Sequence, residues 1–476
     1  MACPRSIIIV GSGVFGLSTA YAMARDKTFS QTSITLVDSW EFEPPVVSTG
    51  TSVSNPGAAN HDTSRIVRSE YPHGPYAVLA KEAHTQWRGV WGAKGRYTER
   101  RLLLSAQGSS LKGPQRAGET VNYVKNAYDL SCQLSSRGKD GLRVLDSLRE
   151  IRSELGLSTT SARAAEKDLR GYISQDAGWA DSSASIAWLR QMVLQTGRVN
   201  FHTAYVQSLI YADNEQSDVV QGVRFDDERE LFADLTIVAA GSHTPRILGM
   251  DKLCDVYSEL VAYIQLSPEE CIHFKELDFP IIVNADRCVF AIAPTREGFL
   301  KMGKFSHSGL VDVRQCAGVT VGPRTTRLTA REQWSESKFG RGGDVDIAED
   351  LDQREQQTLA DYRAFLKELF EPSNDSIGRE SQESIARRPF TKLRRCWYTD
   401  TPATDFIVDY HPSSQGTLFV ASGGSDHAFK FLPVIGDKVA GIVLRGRDVP
   451  SESDHDANLT ALREAWRFPR ISTSKL

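Results

Sequence analysis

The sequence of 476 residues predicts a mixed α/β and α+β fold, in which a parallel α/β domain is interrupted by a second domain built on a mostly antiparallel sheet. In the first domain, a glycine-rich turn follows an apolar strand near the amino terminus, and a second apolar run occupies residues 235–241. Residues 256–319 show strand patterns typical of a separate antiparallel sheet. These three observations lead to the prediction.

The first element is a strand, because the apolar run of residues 7–10 suits a strand buried on both faces. Gly11, Gly13 and Gly16 follow it in the pattern G-x-G-x-x-G. In such a turn the first glycine allows the sharp bend and the second lets a pyrophosphate approach the backbone. The third allows the helix to pack closely on the strand.

A helix is predicted next, since apolar residues recur at i, i+3, i+4 and i+7 from Leu17. Val14 and Phe15 lie in its first turn, where free N–H groups and the helix dipole favour a pyrophosphate. A second strand, residues 34–37, ends in Asp38, about 20 residues beyond the last glycine, where an acid binds a ribose. Together these elements predict a Rossmann-like dinucleotide-binding domain rather than a glycine turn without a ligand. The motif alone does not choose between FAD and NAD.

The parallel domain is predicted to be discontinuous, because the apolar run that closes at Gly241 suits only a buried parallel strand. It therefore belongs with the first sheet, although other material lies between them. We assign residues 1–85, 165–250 and 396–450 to the dinucleotide-binding domain, residues 86–164 and 251–395 to a substrate domain, and residues 451–476 to a carboxyl-terminal tail.

Composition narrows the classes of function. A net charge of −4 gives no electrostatic reason to expect nucleic acid or an anionic membrane as a partner. No apolar run approaches the length needed to span a bilayer. The seven cysteines are scattered without C-x-x-C spacing, which argues against a disulfide framework or a metal site. We expect a monomer in a reducing compartment.

The carboxyl terminus carries a targeting signal. The chain ends in Ser474, Lys475 and Leu476, and a terminal S-K-L is the address read by the peroxisomal import receptor. The alternative is an ordinary polar tail. A peroxisomal location would favour an oxidase that releases hydrogen peroxide.

Two residues in the last quarter of the chain are candidates for a reactive or ligand-binding role. Cys396 follows Lys392, Arg394 and Arg395, and cationic neighbours favour the reactive thiolate form of a cysteine. An inert structural cysteine is the alternative. Lys430 lies between two phenylalanines, so it is either a surface lysine or a cation that faces a buried anion.

Four motifs, in family order, resemble those of the sarcosine-oxidase family of FAD-dependent amine oxidases, which includes pipecolate, saccharopine and fructosyl amino acid oxidases (amadoriases). The resemblance covers the chain from Ile7 to about Gly446, and the fungal amadoriase and saccharopine oxidase branch is the most similar. It implies FAD as the cofactor, joined through the sulfur of Cys396 to the 8α-methyl group of the flavin. It also implies that Lys301, in Gly298-Phe-Leu-Lys-Met-Gly303, promotes the reaction with O2 near flavin N5. A salt-bridged lysine is the alternative for Lys301.

The segment His61, Arg65, Arg68 matches the family pattern H-x-x-x-R-x-x-R. The resemblance implies that Arg65 lies near the flavin ring and that Arg68 and Lys430 hold the substrate carboxylate. Alternatively, Arg68 pairs with a protein acid such as Glu70. His61 has either a catalytic role or a packing role.

Further site residues follow from the same resemblance. Asp426 replaces a usual glycine at the flavin edge, which argues against a small substrate such as sarcosine. Tyr257, with Glu259 and Tyr263 on the same strand, borders the substrate cavity in relatives, although core packing is the alternative. Implied cofactor contacts are Gly11, Gly13, Val14, Phe15, Gly16, Asp38, Ser64, Arg65, Gly241, Cys396, Asp426, His427 and Lys430.

The predicted function is therefore oxidation of a secondary amine: an N-alkyl or N-methyl amino acid, or a cyclic imino acid. Hydride transfer to flavin N5 would give an imine, and O2 would be reduced to H2O2. Alternatives within the family are a fructosyl amino acid or saccharopine oxidase, and an oxidase of secondary metabolism whose imine is trapped to close a ring. A flavin dehydrogenase that uses a carrier protein is a further alternative, disfavoured by the presence of Lys301.

Overall fold

The computed structural model describes residues 3–40, 55, 58–109, 111, 120–134, 141–157, 169–212, 218–250, 253–305, 343–345, 351–370, 385–446 and 457–469. The helices in these ranges are α1 Val14–Arg25, α2 Gly74–Arg88, α3 Val121–Leu134, α4 Leu148–Glu154, α5 Ser182–Gln195, α6 Thr244–Ile247, α7 Pro268–Glu276, α8 Gln353–Phe370, α9 Ile435–Arg445 and α10 Ala457–Ala465. The strands are β1 Ser6–Val10, β2 Ser33–Asp38, β3 Arg65–Arg68, β4 Tyr97–Glu99, β5 Leu102–Gln107, β6 Leu142–Leu145, β7 Leu169–Ser174, β8 Ala177–Ala180, β9 Val199–Thr203, β10 Val206–Tyr211, β11 Val220–Phe225, β12 Glu230–Phe232, β13 Leu235–Val238, β14 Asp255–Gln265, β15 Ile281–Asn284, β16 Val289–Ile292, β17 Phe299–Lys304, β18 Gly343–Val345, β19 Lys392–Asp400, β20 Ile407–Tyr410 and β21 Leu418–Ser422.

A six-stranded sheet forms the dinucleotide-binding part of the molecule, in the order β20-β21-β13-β1-β2-β9. All of its pairings are parallel except that of β20 with β21. Ile7 and Ile9 pack into a core shared with α1, whereas Ile8 and Val10 pack into a second core on the opposite face. Because both faces are covered, every residue from Ile7 to Val10 is apolar.

A nine-stranded sheet forms the second layer, in the order β18-β19-β14-β17-β16-β15-β5-β7-β6. Its pairings are antiparallel except that of β15 with β5. The long strand β14 lies between β17 and β19 and joins residues from two distant parts of the chain. Helix α8 covers this sheet, with Tyr362, Leu366 and Leu369 buried on its inner face.

The predicted fold class is confirmed, including the discontinuity of the parallel domain: β13 pairs with β1, and β21 pairs with β13. The predicted domain boundaries stay a prediction, since strand pairing does not define where a domain ends. Those boundaries assign β7 and part of β19 to the dinucleotide-binding domain, but both strands pair within the nine-stranded sheet. Helix α7 lies in the region predicted as strands alone.

Two negative observations apply to the described ranges. No helix there combines the length and the apolar character that crossing a membrane requires. The same residues contain no group of three or more His, Cys, Asp or Glu side chains placed to hold a metal ion.

Candidate active site

A cavity lies at the carboxyl ends of β1, β2 and β13, where ligands bind in open α/β sheets. It extends to the edge of the nine-stranded sheet, where Trp397 and Tyr398 contribute to its wall. The predicted site residues that line it are Gly11, Gly13, Val14, Phe15, Asp38, Arg65, Gly241 and Asp426. The cavity therefore joins the amino-terminal glycine turn to residues near the carboxyl end of the chain.

The glycine turn is shaped by contacts that exclude side chains. Gly11 has a φ of 99°, and a Cβ there would lie 2.5 Å from the carbonyl oxygen of Ala239. A Cβ at Gly16 would lie 1.8 Å from the carbonyl oxygen of Gly11, so α1 packs directly on the turn. At Gly13 the nearest atom would be Asn60 Oδ1 at 4.0 Å, so the space above this residue belongs to the cavity.

The beginning of α1 and the end of β2 suit the two polar parts of a dinucleotide. Among the described residues no side chain caps α1, and its first turn contains no acid, so its N–H groups suit a phosphate. Asp38 lies at the end of β2, and its Oδ2 accepts hydrogen bonds from Ser12 N and Ser12 Oγ, both at 2.7 Å. The carboxylate is therefore held at the cavity wall, where a ribose would meet it.

Asp62, Lys301 and Arg65 form a buried ion cluster beside the cavity. Lys301 is completely buried, and its Nζ lies 2.6 Å from Asp62 Oδ2 and donates to the carbonyl oxygen of Ser64. Burial lowers the pKa of Lys301, and the Asp62 carboxylate opposes this shift. Burial alone would raise the pKa of Asp62, but Lys301 and Arg65 hold it well below its usual range.

Arg65 connects this cluster to Cys396. Its Nη2 lies 3.6 Å from Asp62 Oδ2 and 3.5 Å from Cys396 Sγ, and its Nη1 donates to Tyr398 OH at 3.0 Å. Cys396 is buried on β19, opposite Glu259 of β14. Alternate residues of a strand share a face, so Cys396 and Tyr398 point the same way, although only Tyr398 lines the cavity.

Arg68 and Lys430, the cation pair, both contact the ring of Tyr71. Lys430 Nζ lies 5.1 Å and the Arg68 guanidinium 5.0 Å from the ring centroid. Lys430 Nζ donates to Tyr71 OH at 2.7 Å, and Tyr71 OH lies 3.0 Å from His427 Nδ1. His427 Nε2 lies 2.9 Å from the carbonyl oxygen of Thr404, which only accepts, so Nε2 carries the proton. Tyr71 therefore donates to Nδ1.

This chain of hydrogen bonds fixes the protonation of His427 and the position of Lys430. Burial and the nearby Lys430 lower the pKa of His427 to about 3, so the ring is neutral. Both ring nitrogens are engaged within the protein, its backbone N–H donates to Gly424 O at 3.0 Å, and its carbonyl oxygen accepts from Lys430 Nζ at 3.3 Å. The predicted cofactor contact of His427 stays a prediction. Because the hydrogen bonds end on a carbonyl, they hold Lys430 in place and do not conduct a proton.

Neither member of the cation pair forms an ion pair with any described residue. Arg68 donates to Tyr123 OH at 3.0 Å and to the backbone carbonyl of Glu70. Arg68 forms no ion pair with the Glu70 carboxyl, the predicted alternative, although the two groups interact electrostatically. The Glu70 carboxyl is buried, and burial raises its pKa. Neither cation is among the residues that line the cavity, and Glu70 acts on both of them electrostatically without forming an ion pair.

Tyr257 bridges two carboxyl groups near the cavity. Its hydroxyl lies 2.7 Å from Asp400 Oδ2 and 3.2 Å from Asp426 Oδ2. Asp426 lines the cavity with a φ of 61°, a left-handed conformation that few residues with side chains adopt. Glu259, on the same strand as Tyr257, forms an ion pair with Arg354.

Not every predicted residue joins these groups. Gly16 serves packing, and His61 is half-buried outside the cavity wall, with its backbone N–H donating to Ala58 O at 3.0 Å. No motif or spacing pointed to Asp62 or Tyr71. Tyr398 could have been predicted as a site residue, because it lies two residues after Cys396 and shares the same face of a strand.

The sequence matches the FAD dependent oxidoreductase family over residues 6–442, so the chain belongs to this family. An amino acid oxidase of Aspergillus fumigatus is 50% identical, with 98% of this chain and 99% of that protein covered. An amino acid oxidase of Aspergillus flavus is 46% identical, with 98% of each chain covered. The crystal structure of a modified fructosyl peptide oxidase from Aspergillus nidulans has the same fold, with a TM-score of 0.68 at 21% identity over 99% of this chain and 95% of that one.

The chain is therefore an FAD-dependent oxidoreductase, and its resemblance to the sarcosine-oxidase and amadoriase group is confirmed. The cavity fits FAD. Gly13 leaves space where a phosphate would lie, and no described side chain caps the first turn of α1. Ser64, next in sequence to the cavity-lining Arg65, has a buried Oγ without a hydrogen-bond partner among the described residues. The residues that would hold the dinucleotide are those of the glycine turn and Asp38, with the flavin toward Arg65 and Tyr398.

Proposed function

We propose that this protein oxidises a secondary amine that carries a carboxylate, an N-alkyl or N-methyl amino acid or a cyclic imino acid, to an imine and produces H2O2. The observation that carries the proposal is the cation pair: Arg68 and Lys430 are buried on one tyrosine ring and form no ion pair with an acid among the described residues. A planar guanidinium and an ammonium together orient a carboxylate. The names of the two Aspergillus relatives, both amino acid oxidases, support a substrate of this kind.

Each side chain then has a separate task. Bound FAD supplies the redox chemistry, accepting a hydride equivalent from the carbon beside the nitrogen and reducing O2. The cation pair binds the carboxylate and so orients this carbon, while Tyr71 and His427 keep Lys430 in position. Arg65, which lines the cavity, and the buried Lys301 would supply positive charge that stabilises the negative charge developing on O2. No side chain is required as a base, since a neutral amine is oxidised directly.

The test is a peroxide-coupled screen of N-methyl, N-fructosyl and cyclic amino acids, each paired with its methyl ester. We expect peroxide from one or more acids and little from the matching esters, because an ester offers no negative charge to the cation pair. Equal turnover of acids and esters would contradict the proposal. Reduction of the flavin without peroxide would instead favour a dehydrogenase.

The proposal includes a covalent bond between the 8α-methyl group of FAD and Cys396 Sγ. The buried thiol lies 3.5 Å from the guanidinium of Arg65, which lines the cavity, and this distance supports the proposed bond. Acid precipitation of the purified protein tests this bond. Yellow colour should stay in the wild-type pellet and pass to the supernatant for Cys396→Ser, with Cys254→Ser, a buried cysteine on another segment, as the matched control.

A peroxisomal location is also part of the proposal. Ser474, Lys475 and Leu476 lie outside the described residues. The chain just before them is anchored, since the buried Trp466 donates from Nε1 to Tyr76 OH at 2.9 Å and Phe468 N donates to Asp409 Oδ2 at 3.1 Å. Deleting the last three residues of a fluorescent fusion should abolish its peroxisomal signal; unchanged import would refute the assignment. We expect a monomer, which light scattering measures directly.

A further inference from the structure

We infer that Asp62 is a positioning residue for the reaction with O2: its carboxylate keeps Lys301 positively charged and holds Arg65 beside the cavity. The inference rests on the proposed oxidase function and adds a residue that no motif in the sequence singles out. It comes from the buried ion cluster, in which an acid with almost no exposed surface lies between two cations.

The Asp62 carboxylate is surrounded by donors. Oδ2 lies 2.6 Å from Lys301 Nζ and 3.6 Å from Arg65 Nη2. Oδ1 accepts from Tyr263 OH at 3.0 Å and from Thr63 N at 2.7 Å. The side chain of Asp62 is 2% exposed, so these groups replace water as its partners.

The backbone at Asp62 is fixed as well. Its carbonyl oxygen accepts from Ser182 Oγ at 2.7 Å and from Ser183 N at 3.0 Å, at the beginning of α5. The position of Lys301 is determined by the register of the nine-stranded sheet, in which it lies opposite Tyr263. Asp62 thus links a helix that packs on the six-stranded sheet to a strand of the other sheet.

The charges around Lys301 explain why Asp62 matters. The titratable and charged groups that act on this part of the cluster are Asp62, Arg65, Tyr263, Arg394 and Cys396. Asp62 is the carboxylic acid in this set, and Arg65 repels an ammonium at Lys301. Burial already lowers the pKa of Lys301 with Asp62 in place. Without Asp62, the lysine would be a buried cation among cations and would lose its proton.

The experiment compares Asp62→Asn, Asp62→Glu, Lys301→Gln and the double variant Asp62→Asn/Lys301→Gln as holoenzymes. Each is reduced anaerobically and mixed with O2 in a stopped-flow instrument between pH 6 and pH 10. Lys301→Gln should slow flavin reoxidation throughout this range. Asp62→Asn should slow it about tenfold or more at pH 8, because each unit by which a pKa falls below the working pH removes about nine-tenths of the ammonium.

The pH profile separates this role from simple packing. Because Asp62→Asn lowers the pKa of Lys301, its reoxidation rate should recover as the pH falls toward 6. The double variant should match Lys301→Gln, since residues that act through one another are not additive. Asp62→Glu keeps the charge and should stay nearer to the wild type than Asp62→Asn does.

Urea unfolding provides a readout that does not depend on turnover. In Asp62→Asn the folded protein should bind fewer protons at Lys301 than the unfolded chain, so stability should rise with pH. Relative to the wild type, the urea concentration at the midpoint of unfolding should fall more at pH 6 than at pH 9. The double variant should recover much of this decrease. If Asp62→Asn alone fails to fold, recovery of folding in the double variant supports the inference.

Three results would overturn the inference that Asp62 is a positioning residue. Normal reoxidation in Asp62→Asn, with slow reoxidation in Lys301→Gln, removes the role of Asp62 and leaves the proposed function intact. Normal reoxidation in Lys301→Gln removes both the role of Lys301 and this inference. A double variant that is as unstable as Asp62→Asn shows that the carboxylate supports the fold rather than the charge of Lys301.

Discussion

Replacing Lys430 with methionine isolates the charge of the cation pair. Methionine keeps an unbranched apolar stem next to Tyr71 but removes the ammonium and its 2.7 Å hydrogen bond to the tyrosine hydroxyl. A hydrogen bond to a charged group contributes about 1.5–3 kcal/mol. Since about 1.4 kcal/mol corresponds to a tenfold change in affinity, Lys430→Met should weaken binding of the substrate carboxylate about 10- to 150-fold.

The assay is the anaerobic reduction of the flavin in a stopped-flow instrument, with an amino acid substrate and its carboxamide compared side by side. Lys430→Met should raise the dissociation constant of the acid by the stated factor and change that of the carboxamide little. Tyr71→Phe is the matched control, because it removes the hydroxyl that positions Lys430 but leaves both cations. We expect its effect on the acid to be several times smaller.

The comparison of the acid with the carboxamide tests whether Lys430 binds the substrate carboxylate. If Lys430→Met weakens the acid and the carboxamide equally, Lys430 does not bind the carboxylate and its effect is steric. If Lys430→Met leaves both unchanged while Arg68→Met weakens the acid, Arg68 acts without its proposed partner. Either result would refute the reasoning from the cation pair.

Further predictions concern cofactor loading and stability. Gly13→Val should fold but purify without yellow colour, because its side chain would fill the space above the turn, whereas Gly74→Ala, in open space at the beginning of α2, should retain the flavin. The pKa of His427 is about 3, below the ordinary value of about 6.5, so wild-type stability should fall between pH 6.5 and pH 3 as the unfolded chain takes up this proton. His427→Gln should flatten that fall in urea titrations, and an unchanged slope would contradict it. Trp466→Ala should lower the free energy of unfolding by about 3–5 kcal/mol, since the indole is fully buried, and a loss below about 1 kcal/mol would show that the carboxyl-terminal segment does not stabilise the fold.

Local patterns were enough to predict the elements around the glycine turn. The apolar run before Gly11 and the spacing after it encode β1 and α1, and the buried run at residues 235–238 encodes β13. Helix α7 escaped prediction, although its start carries a capping box, Ser267 and Glu270, which is a local signal for a helix. The error came from extending the strand pattern across the whole of residues 256–319.

The charged contacts of the candidate site could not be predicted in the same way. Asp62 and Lys301 are 239 positions apart, and Tyr71 and His427 are 356 apart. Their meeting depends on the register of β14 with β17 and on the packing of the two sheets. Residue types suggested that Arg68 and Lys430 hold an anion, but only the folded chain shows that they share Tyr71.

The order of strands in the six-stranded sheet has a consequence for biosynthesis. Strand β13 lies between β1, which is made first, and β21, which is made last. At about 5–20 residues per second, a ribosome needs about 20–80 s for the roughly 400 residues that separate them. During that interval the nascent chain carries an open strand edge, a surface on which unfinished chains associate. Because residues as late as Phe429 line the cavity, its wall is complete only after nearly the whole polypeptide has been made. A chain cut short before β21 is expected to aggregate.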